Sequence, residues 1–388
     1  MPTDNPEYPH WLLVKEMAIA LSKNGAKVKV LDINHKKPCG YINNGKTRKI
    51  VNTNRLEGTT TELTTQMNSA FRKDARLNDM DIDCSVLIGR EHDSLNPEKS
   101  ILIAVDKFFE YAQSARCIFV IGGIFQPYKL EPFLRLIDSK IFYYAMNYRN
   151  ESRYKHIYSK CLSTAPSCTK SFWQNGVIKR PNFINEDSIS ILKSLSLESQ
   201  EVLSKLNDND KICISCSKNI VSILNLDFLE NIVHFLQVSP NHKLLAIGGS
   251  RTTILRHVNE TLDTDKIRLF EKQLYAITFE ENLSDLYSAL HLFQSCFLNP
   301  IHPGNGRCIL LAALRGIPTL VAGINDCQFV SDKIEKVDLS NHKTAIELLN
   351  RTLNSEEFKL DVKHANSLAI SENKLYSSLF YQMIWGLS

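Results

Sequence analysis

The stretch Asn299-Pro-Ile-His-Pro-Gly-Asn-Gly-Arg-Cys-Ile-Leu-Leu-Ala-Ala-Leu-Arg-Gly-Ile-Pro-Thr-Leu-Val-Ala-Gly323 decides the fold. The apolar run Cys296-Phe-Leu298 stops at Asn299-Pro300, and Ile301-His-Pro-Gly-Asn-Gly306 follows. An apolar, helix-like run then starts at once. It ends at Gly316-Ile317-Pro318, before a second strand-like run. Strand, loop, helix, strand is the repeating unit of a parallel sheet. Ligands in such sheets bind beyond the carboxyl ends of the strands. Gly304 and Gly306 let the backbone turn and a ligand approach closely. The amides of Gly306, Arg307 and Cys308 and the helix dipole favour an anion, with Asn305 and Arg307 as side-chain donors. A diphosphate fits that description. The same residues also suit a tight strand-to-helix turn in which Pro and Gly serve geometry alone.

The alternation extends both ways. Towards the N-terminus, 211–215, 243–247, 275–279 and 296–298 read as strands, and 227–236 and 283–292 as helices. Further back, 11–24, 100–115 and 130–138 read as helices, and 27–33, 82–88, 117–121 and 141–146 as strands. Residues 167–176 read as a short helix, and 186–210 form a polar junction with one amphipathic helix. The fold expected is α/β, with two tandem doubly wound, Rossmann-like domains. A helix before the first strand departs from that plan, so the first domain either lacks its usual opening strand or begins late. The run 372–386 reads as a terminal helix with a broad aromatic face.

Bulk properties restrict the function. At 388 residues, two domains are expected. A formal net charge of +4 without a Lys/Arg block argues against nucleic acid as a partner. No run of about 18 apolar residues predicts a membrane span, and the N-terminus does not read as a secretory signal. Ten cysteines, several in apolar runs, suggest reduced thiols in a cytoplasmic protein. Cys213-Ile-Ser-Cys216 lies in a strand pattern with no second pair at zinc spacing, so no metal site is expected.

The C-terminal half resembles the donor domain of two-domain GT-B glycosyltransferases. The resemblance rests on Asp285-Leu-Tyr-Ser-Ala-Leu, Cys296-Phe-Leu-Asn-Pro, His302-Pro-Gly-Asn-Gly and Ala312-Ala-Leu-Arg-Gly-Ile-Pro318, and spans about 165–335. Phe297-Leu-Asn-Pro-Ile-His-Pro-Gly-Asn305 looks most like the bacterial cytoplasmic adhesin asparagine glucosyltransferases, relatives of O-GlcNAc transferase. It implies an acceptor-side domain over 1–180, a linker over 181–210, a nucleotide-sugar-binding domain over 211–370, and a helix over 371–388 crossing back to the first domain.

It also implies site residues. Gly304, Asn305, Gly306 and Arg307 would hold the donor diphosphate, with His302 beside it. Tyr275 and Ile277 would lie by the base, and Gly248, Gly249 and Arg251 would border the nucleotide. Lys218 would stabilise charge on the leaving diphosphate. Asp4, Glu7 and His10 are candidates for the base, and Gly123, Gln126, Asn147 and Arg149 for the acceptor side. The donor implied is a UDP-sugar, with no metal and no other cofactor, and the acceptor a protein or glycan. A protein partner or a homo-oligomer is also allowed.

Two positions depart from the pattern. Leu311 stands where relatives carry a carboxylate for the ribose, and Ile223 where the adhesin-type enzymes carry Lys. These departures keep open a non-catalytic partner subunit with the same fold. A nucleotide-sugar epimerase shares the architecture and would need a carboxylate–histidine pair that the sequence does not reveal.

Overall fold

The computed structural model describes residues 9–34, 82–88, 109, 112–121, 131–144, 158–163, 176–179, 181–184, 195–207, 209–217, 220–280, 283–300, 306–322 and 331–386. The chain divides into two units, Met1–Lys179 with Tyr381–Ser388, and Arg180–Phe380.

In the first unit, helix α1 (Pro9–Lys23) precedes β1 (Val28–Asn34). Gly25, at φ 84°, ends the helix. Its N–H bonds the Ser22 carbonyl and that of Ala26 the Leu21 carbonyl, a left-handed cap that a side chain would strain. β1 pairs in parallel with β2 (Ile82–Ile88). A second parallel sheet runs in chain order through β3 (Cys117–Ile121), β4 (Lys140–Tyr144), β5 (Lys160–Ser163) and β6 (Val177–Lys179). β5 and β6 have four and three residues, too few for a periodic signal, and the sequence reading missed them. The helix expected over 130–138 is a 3₁₀ helix, Glu131–Leu136, followed by an Ile137 to Leu134 turn bond. β4 starts at Lys140 and leaves no room for another turn. The helix expected over 167–176 lies outside the described residues, except for Gly176.

The second unit opens with α2 (Leu197–Ser204) and continues through β7 (Lys211–Cys216), α3 (Leu226–Val238), β8 (His242–Ile247), α4 (Arg251–Thr261), α5 (Thr264–Gln273) and β9 (Leu274–Ile277). Then come α6 (Leu283–Leu290), β10 (Gln294–Pro300), α7 (Gly306–Leu314), β11 (Thr319–Ala322), β12 (Glu335–Val337), α8 (His342–Asn354) and the 30-residue α9 (Glu356–Trp385). The strands lie in the order β12-β11-β10-β7-β8-β9, and every pairing is parallel. From the β9 edge this is 3-2-1-4-5-6, the dinucleotide-fold order, and it reverses between β7 and β10.

Strand alternation feeds two cores. Cys213, Leu244, Ala246, Leu274, Cys296 and Leu298 join one cluster with α3, α5 and α8. Ile212, Ile214, Cys216, Leu245 and Phe297 are buried on the other side of the alternation. There Tyr287 of α6 meets the Phe297 ring edge-on at 5.5 Å. Side-chain caps start the helices. Asn225 accepts from the Phe228 amide at 2.9 Å and Ser250 from Thr253 at 3.3 Å.

Two asparagines seven residues apart tie α9 to other segments of the unit. Asn366, 2% exposed, accepts from the Thr319 amide at 2.8 Å and donates to its carbonyl at 3.1 Å. Asn373 does the same to Asn182 at 2.8 and 3.0 Å. Asn366→Leu removes the side-chain partners of the Thr319 N–H and C=O at the start of β11. Urea denaturation should show a loss of about 2–4 kcal/mol; a loss below about 0.5 kcal/mol would discard the clamp.

His242 is buried against Phe235, and its Nδ1 lies 3.3 Å from the Ser239 carbonyl. Burial pushes its pKa from 6.5 down to about 4, against the opposing hydrogen bond to Ser239. Between these values the unfolded chain binds a proton that the folded chain refuses. Stability is therefore lost as pH falls from about 6.5 to about 4, by at most about 3 kcal/mol from this group. His242→Leu should flatten that part of the pH–stability curve. Parallel curves for the two proteins would contradict the assignment.

Candidate functional site

The reversal of strand order leaves a crevice beyond the carboxyl ends of β7 and β10. β10 ends at Asn299-Pro300, α7 begins at Gly306, and the five residues between lie outside the described set. His302, Gly304 and Asn305 are among them, and Lys218, after β7, also lies outside the described residues. Gly306 is buried and Arg307 half-buried in the first turn of α7. The helix start therefore follows one of the two strands at the switch point; the reading of 299–323 has it at a strand's carboxyl end without saying which strand lies beside it.

Steric fit brings the ends of β7 and β8 together. Gly248 has φ 125°, and a Cβ there would lie 1.4 Å from the Ser217 carbonyl oxygen. The chain crosses at this point through three backbone bonds. Ser217 N–H donates to the Ile247 carbonyl and Gly248 N–H to that of Ile277, both at 2.9 Å; Ile220 N–H donates to the Gly248 carbonyl at 3.3 Å. A Cβ on Gly249 would meet Ile220 Cγ2 at 3.0 Å. Both glycines thus have a packing role at the site's edge. Arg251 is turned onto the end of α5, donating to the Glu271 carbonyl at 2.7 Å. Tyr275 is half-buried, and the Ile277 side chain is buried, so Ile277 offers only backbone.

Contacts at the end of β9 escaped the sequence reading. Thr278 donates to Glu198 Oε2 at 2.8 Å. Ser196 and Ser199 both donate to Glu280 Oε1. The N-terminus of α2, read as part of a junction, thus holds the segment that follows β9. The only signal was a Ser-x-x-Ser cap, common to many helices.

Thiols concentrate at the switch point. Successive side chains in a strand alternate faces, so Cys213 and Cys216, three apart, point to opposite sides of the sheet. The Cys-x-x-Cys spacing is therefore no pair. Cys213 interacts with Cys296, its register partner on β10. Cys216, the last residue of β7, donates to Cys308, the third residue of α7. That hydrogen bond holds the Cys308 pKa below the usual thiol range despite burial, and Arg307 and the helix-start amide add to the effect. Of these causes, Arg307 and the helix start would act on any anion placed there. Tyr287 lies beside Cys216, and burial raises its phenol well above the usual range.

Asp285 and Arg315, quoted above as family motif positions, have a packing role. Arg315 donates to Ser284 Oγ, and Asp285 opposes the effect of burial on its guanidinium. The end of α7 is thereby fixed to α6. Leu311 and Ile223 are 2% and 8% exposed and belong to the interior. Among the described residues no three His, Cys, Asp or Glu side chains group as metal ligands. Likewise no described helix is long and apolar enough to cross a membrane. Asp4, Glu7, Gly123, Gln126, Asn147 and Arg149 lie outside the described residues. His10 sits in the first turn of α1, and its side chain is not described.

No known protein family matches the chain by sequence, and no curated protein does. Solved structures match it in fold. HepE of Anabaena, in complex with UDP and glucose, is 11% identical with a TM-score of 0.60, covering 100% of this chain and 98% of that one. A trehalose-6-phosphate synthase from E. coli, bound with UDP-2-fluoro glucose, is 10% identical with a TM-score of 0.60, covering 99% and 97%. A glycosyltransferase from Rickettsia africae is 13% identical with a TM-score of 0.56, covering 93% and 98%. The fold is therefore that of the GT-B glycosyltransferases, two Rossmann-like units in tandem.

Gly248→Ala forces a Cβ into a carbonyl and should cost on the order of 4 kcal/mol. Gly316→Ala is the control, with φ 73° and nothing near its Cβ. It should cost only about 1–2 kcal/mol of backbone strain. Equal losses in guanidinium denaturation would refute the close-approach argument.

Proposed function

We propose that the chain is a glycosyltransferase. It moves a sugar from a nucleotide-sugar donor, a UDP-sugar, to a protein or polysaccharide acceptor without a metal ion. One observation carries the reading: a GT-B fold whose six-stranded sheet, in the second unit, reverses at β7/β10 and is followed there by the start of α7, with its first-turn amides and Arg307. The solved structures of this fold with UDP or a UDP-sugar bound support the choice of base. Within the class, Phe297 to Asn305 favours the adhesin asparagine glucosyltransferase and O-GlcNAc transferase group.

In this reading the first-turn amides of α7, with Gly304, Asn305 and Arg307, bind the diphosphate. Negative charge grows on it as the glycosidic bond breaks, and Lys218 with the helix start stabilises that charge. Gly248 and Gly249 shape the nucleotide's edge, Tyr275 and the Ile277 backbone border the base, and His302 meets the sugar or phosphate. Arg251 takes part only by leaving Glu271. Asp4, Glu7 and His10 are the candidates to remove the acceptor proton, and Gly123, Gln126, Asn147 and Arg149 to border the acceptor. The protein works in the cytoplasm.

A second reading is a non-catalytic partner subunit. It is favoured by the buried, apolar Leu311 and Ile223 where side-chain donor contacts are expected.

Calorimetric titration with UDP, GDP, CDP, CMP and TDP, with and without magnesium, separates the two. UDP should bind at micromolar Kd without metal, and Gly304→Leu should weaken it at least tenfold, about 1.4 kcal/mol. No binding of any of the five by the folded protein would favour the partner subunit. Unchanged affinity in the folded Gly304→Leu variant would remove the diphosphate from this loop.

A further inference from the structure

We propose that Cys216 and Cys308 form an oxidisable dithiol, a modification site at which a peroxide closes a disulfide across the mouth of α7. The two cysteines come from separate elements, the end of β7 and the first turn of α7, and meet at the reversal of strand order. Both are thiols in contact, and both are buried. Of the two, Cys308 is the thiol whose pKa is lowered, by the Cys216 hydrogen bond, by Arg307 and by the helix start, so it is the one to lose its proton first. Cys216 is the proton-bearing partner and resolves the intermediate.

The chemistry balances. The Cys308 thiolate attacks a peroxide oxygen and breaks the O–O bond, giving a sulfenic acid and, after protonation, water. Cys216 loses its proton and attacks the sulfenic sulfur, expelling hydroxide, which that proton converts to a second water. Two thiols and one hydrogen peroxide yield one disulfide and two waters, a two-electron oxidation. Burial restricts the oxidant to a small one, so hydrogen peroxide is the class expected.

The neighbouring pair, Cys213 and Cys296, serves as an internal comparison. It is buried and its members are register partners, yet it lies within the sheet rather than at a helix start. The Cys296 hydrogen bond and burial raise the Cys213 thiol, as the Cys308 hydrogen bond and burial raise Cys216, so the pairs differ in the Arg307 and helix start that act on Cys308. The consequence for ligands rests on the function proposed above. A disulfide bonds the first turn of α7 to β7, with Cα atoms held within about 4.4–6.8 Å. That bond fixes the first turn of α7, whose amides the diphosphate would use, against the end of β7.

Trypsin separates the possibilities. Residues 212–218 carry Cys213 and Cys216, 308–315 carry Cys308, and 273–307 carry Cys296. The full-length reduced protein is treated with hydrogen peroxide, alkylated, digested without reductant and analysed by mass spectrometry. The expected product is 212–218 linked to 308–315, abolished by Cys216→Ala and retained in Cys296→Ala. Linkage to 273–307, or alkylation of Cys308 after peroxide as complete as before it, overturns the proposal. UDP affinity of the oxidised protein should fall at least tenfold and return with dithiothreitol, whereas Cys216→Ala should keep its affinity through peroxide. A disulfide that leaves affinity unchanged overturns the consequence for ligands. A reduced protein that binds no nucleotide but forms the linkage defeats the functional reading and leaves the dithiol standing.

Discussion

β7 is the strand on which the second unit depends. It is the first strand of its sheet in sequence and a central one in space, paired with β8 on one side and β10 on the other. Parallel neighbours need crossovers that return over a face of the sheet, and these crossovers are right-handed. A chain that proceeds from β7 to β8 and β9, then returns to β10 on the other flank, must place its helices on both faces. That requirement explains the near-total burial of β7. Ile212, Cys213, Ile214 and Cys216 are all at most 1% exposed, and only apolar or small side chains are tolerated on both faces.

The same constraint governs the carboxyl end of the sheet. Three segments leave there within one crossing, so the backbone must approach itself closely. Gly248 against Ser217 is the tightest such approach. The thiols lie at the same end of the sheet. Cys216 and Cys308 are buried between a strand end and a helix start. The Cys216 hydrogen bond, Arg307 and the helix start all lower the Cys308 thiol's pKa against burial. Packing and electrostatics therefore act on one residue pair, and the anion-favouring character of this corner does not depend on knowing any ligand.

The second unit was legible where strands are long and apolar. β7, β8, β10 and α3 fall within a residue or two of the periodic runs, because a strand buried on both faces shows as an unbroken apolar run. α4, α5, α8 and β12 were not visible. α4 and α5 bury only two residues each, so most of their sequence reads as polar connection. The topology of the sheet was legible only in class, since no local pattern says that β10 returns beside β7. The start of α7 could be read as a turn of unusual composition, and Gly248 and Gly249 as the end of a strand, but their packing against Ser217 and Ile220 could not. The Cys216–Cys308 contact could not, because 92 residues separate its members and the nearer Cys213 suggests a false pair. Glu198 and Glu280, which hold the segments at β9, look like any solvated carboxylates until the fold brings them to hydroxyl groups.

The buried positions of Leu311 and Ile223 bear on how a nucleotide could be held at all. A carboxylate or an ammonium placed there would be desolvated by the surrounding core and would need a partner or a ligand to offset that cost. The apolar residues need neither, so the unit is complete without a bound nucleotide. Polar recognition then falls to groups that cannot be lost by substitution, the first-turn amides of α7 and the backbone at the ends of β8 and β9. First-turn amides recognise phosphate charge well, and ribose hydroxyls, which both donate and accept, are left to neutral backbone N–H and C=O groups in place of a charged acceptor. In the function proposed above, a site built this way gains its affinity from the diphosphate. That proposal makes the start of α7 the place where binding is decided, and a change in the Cys216–Cys308 contact acts on the same turn.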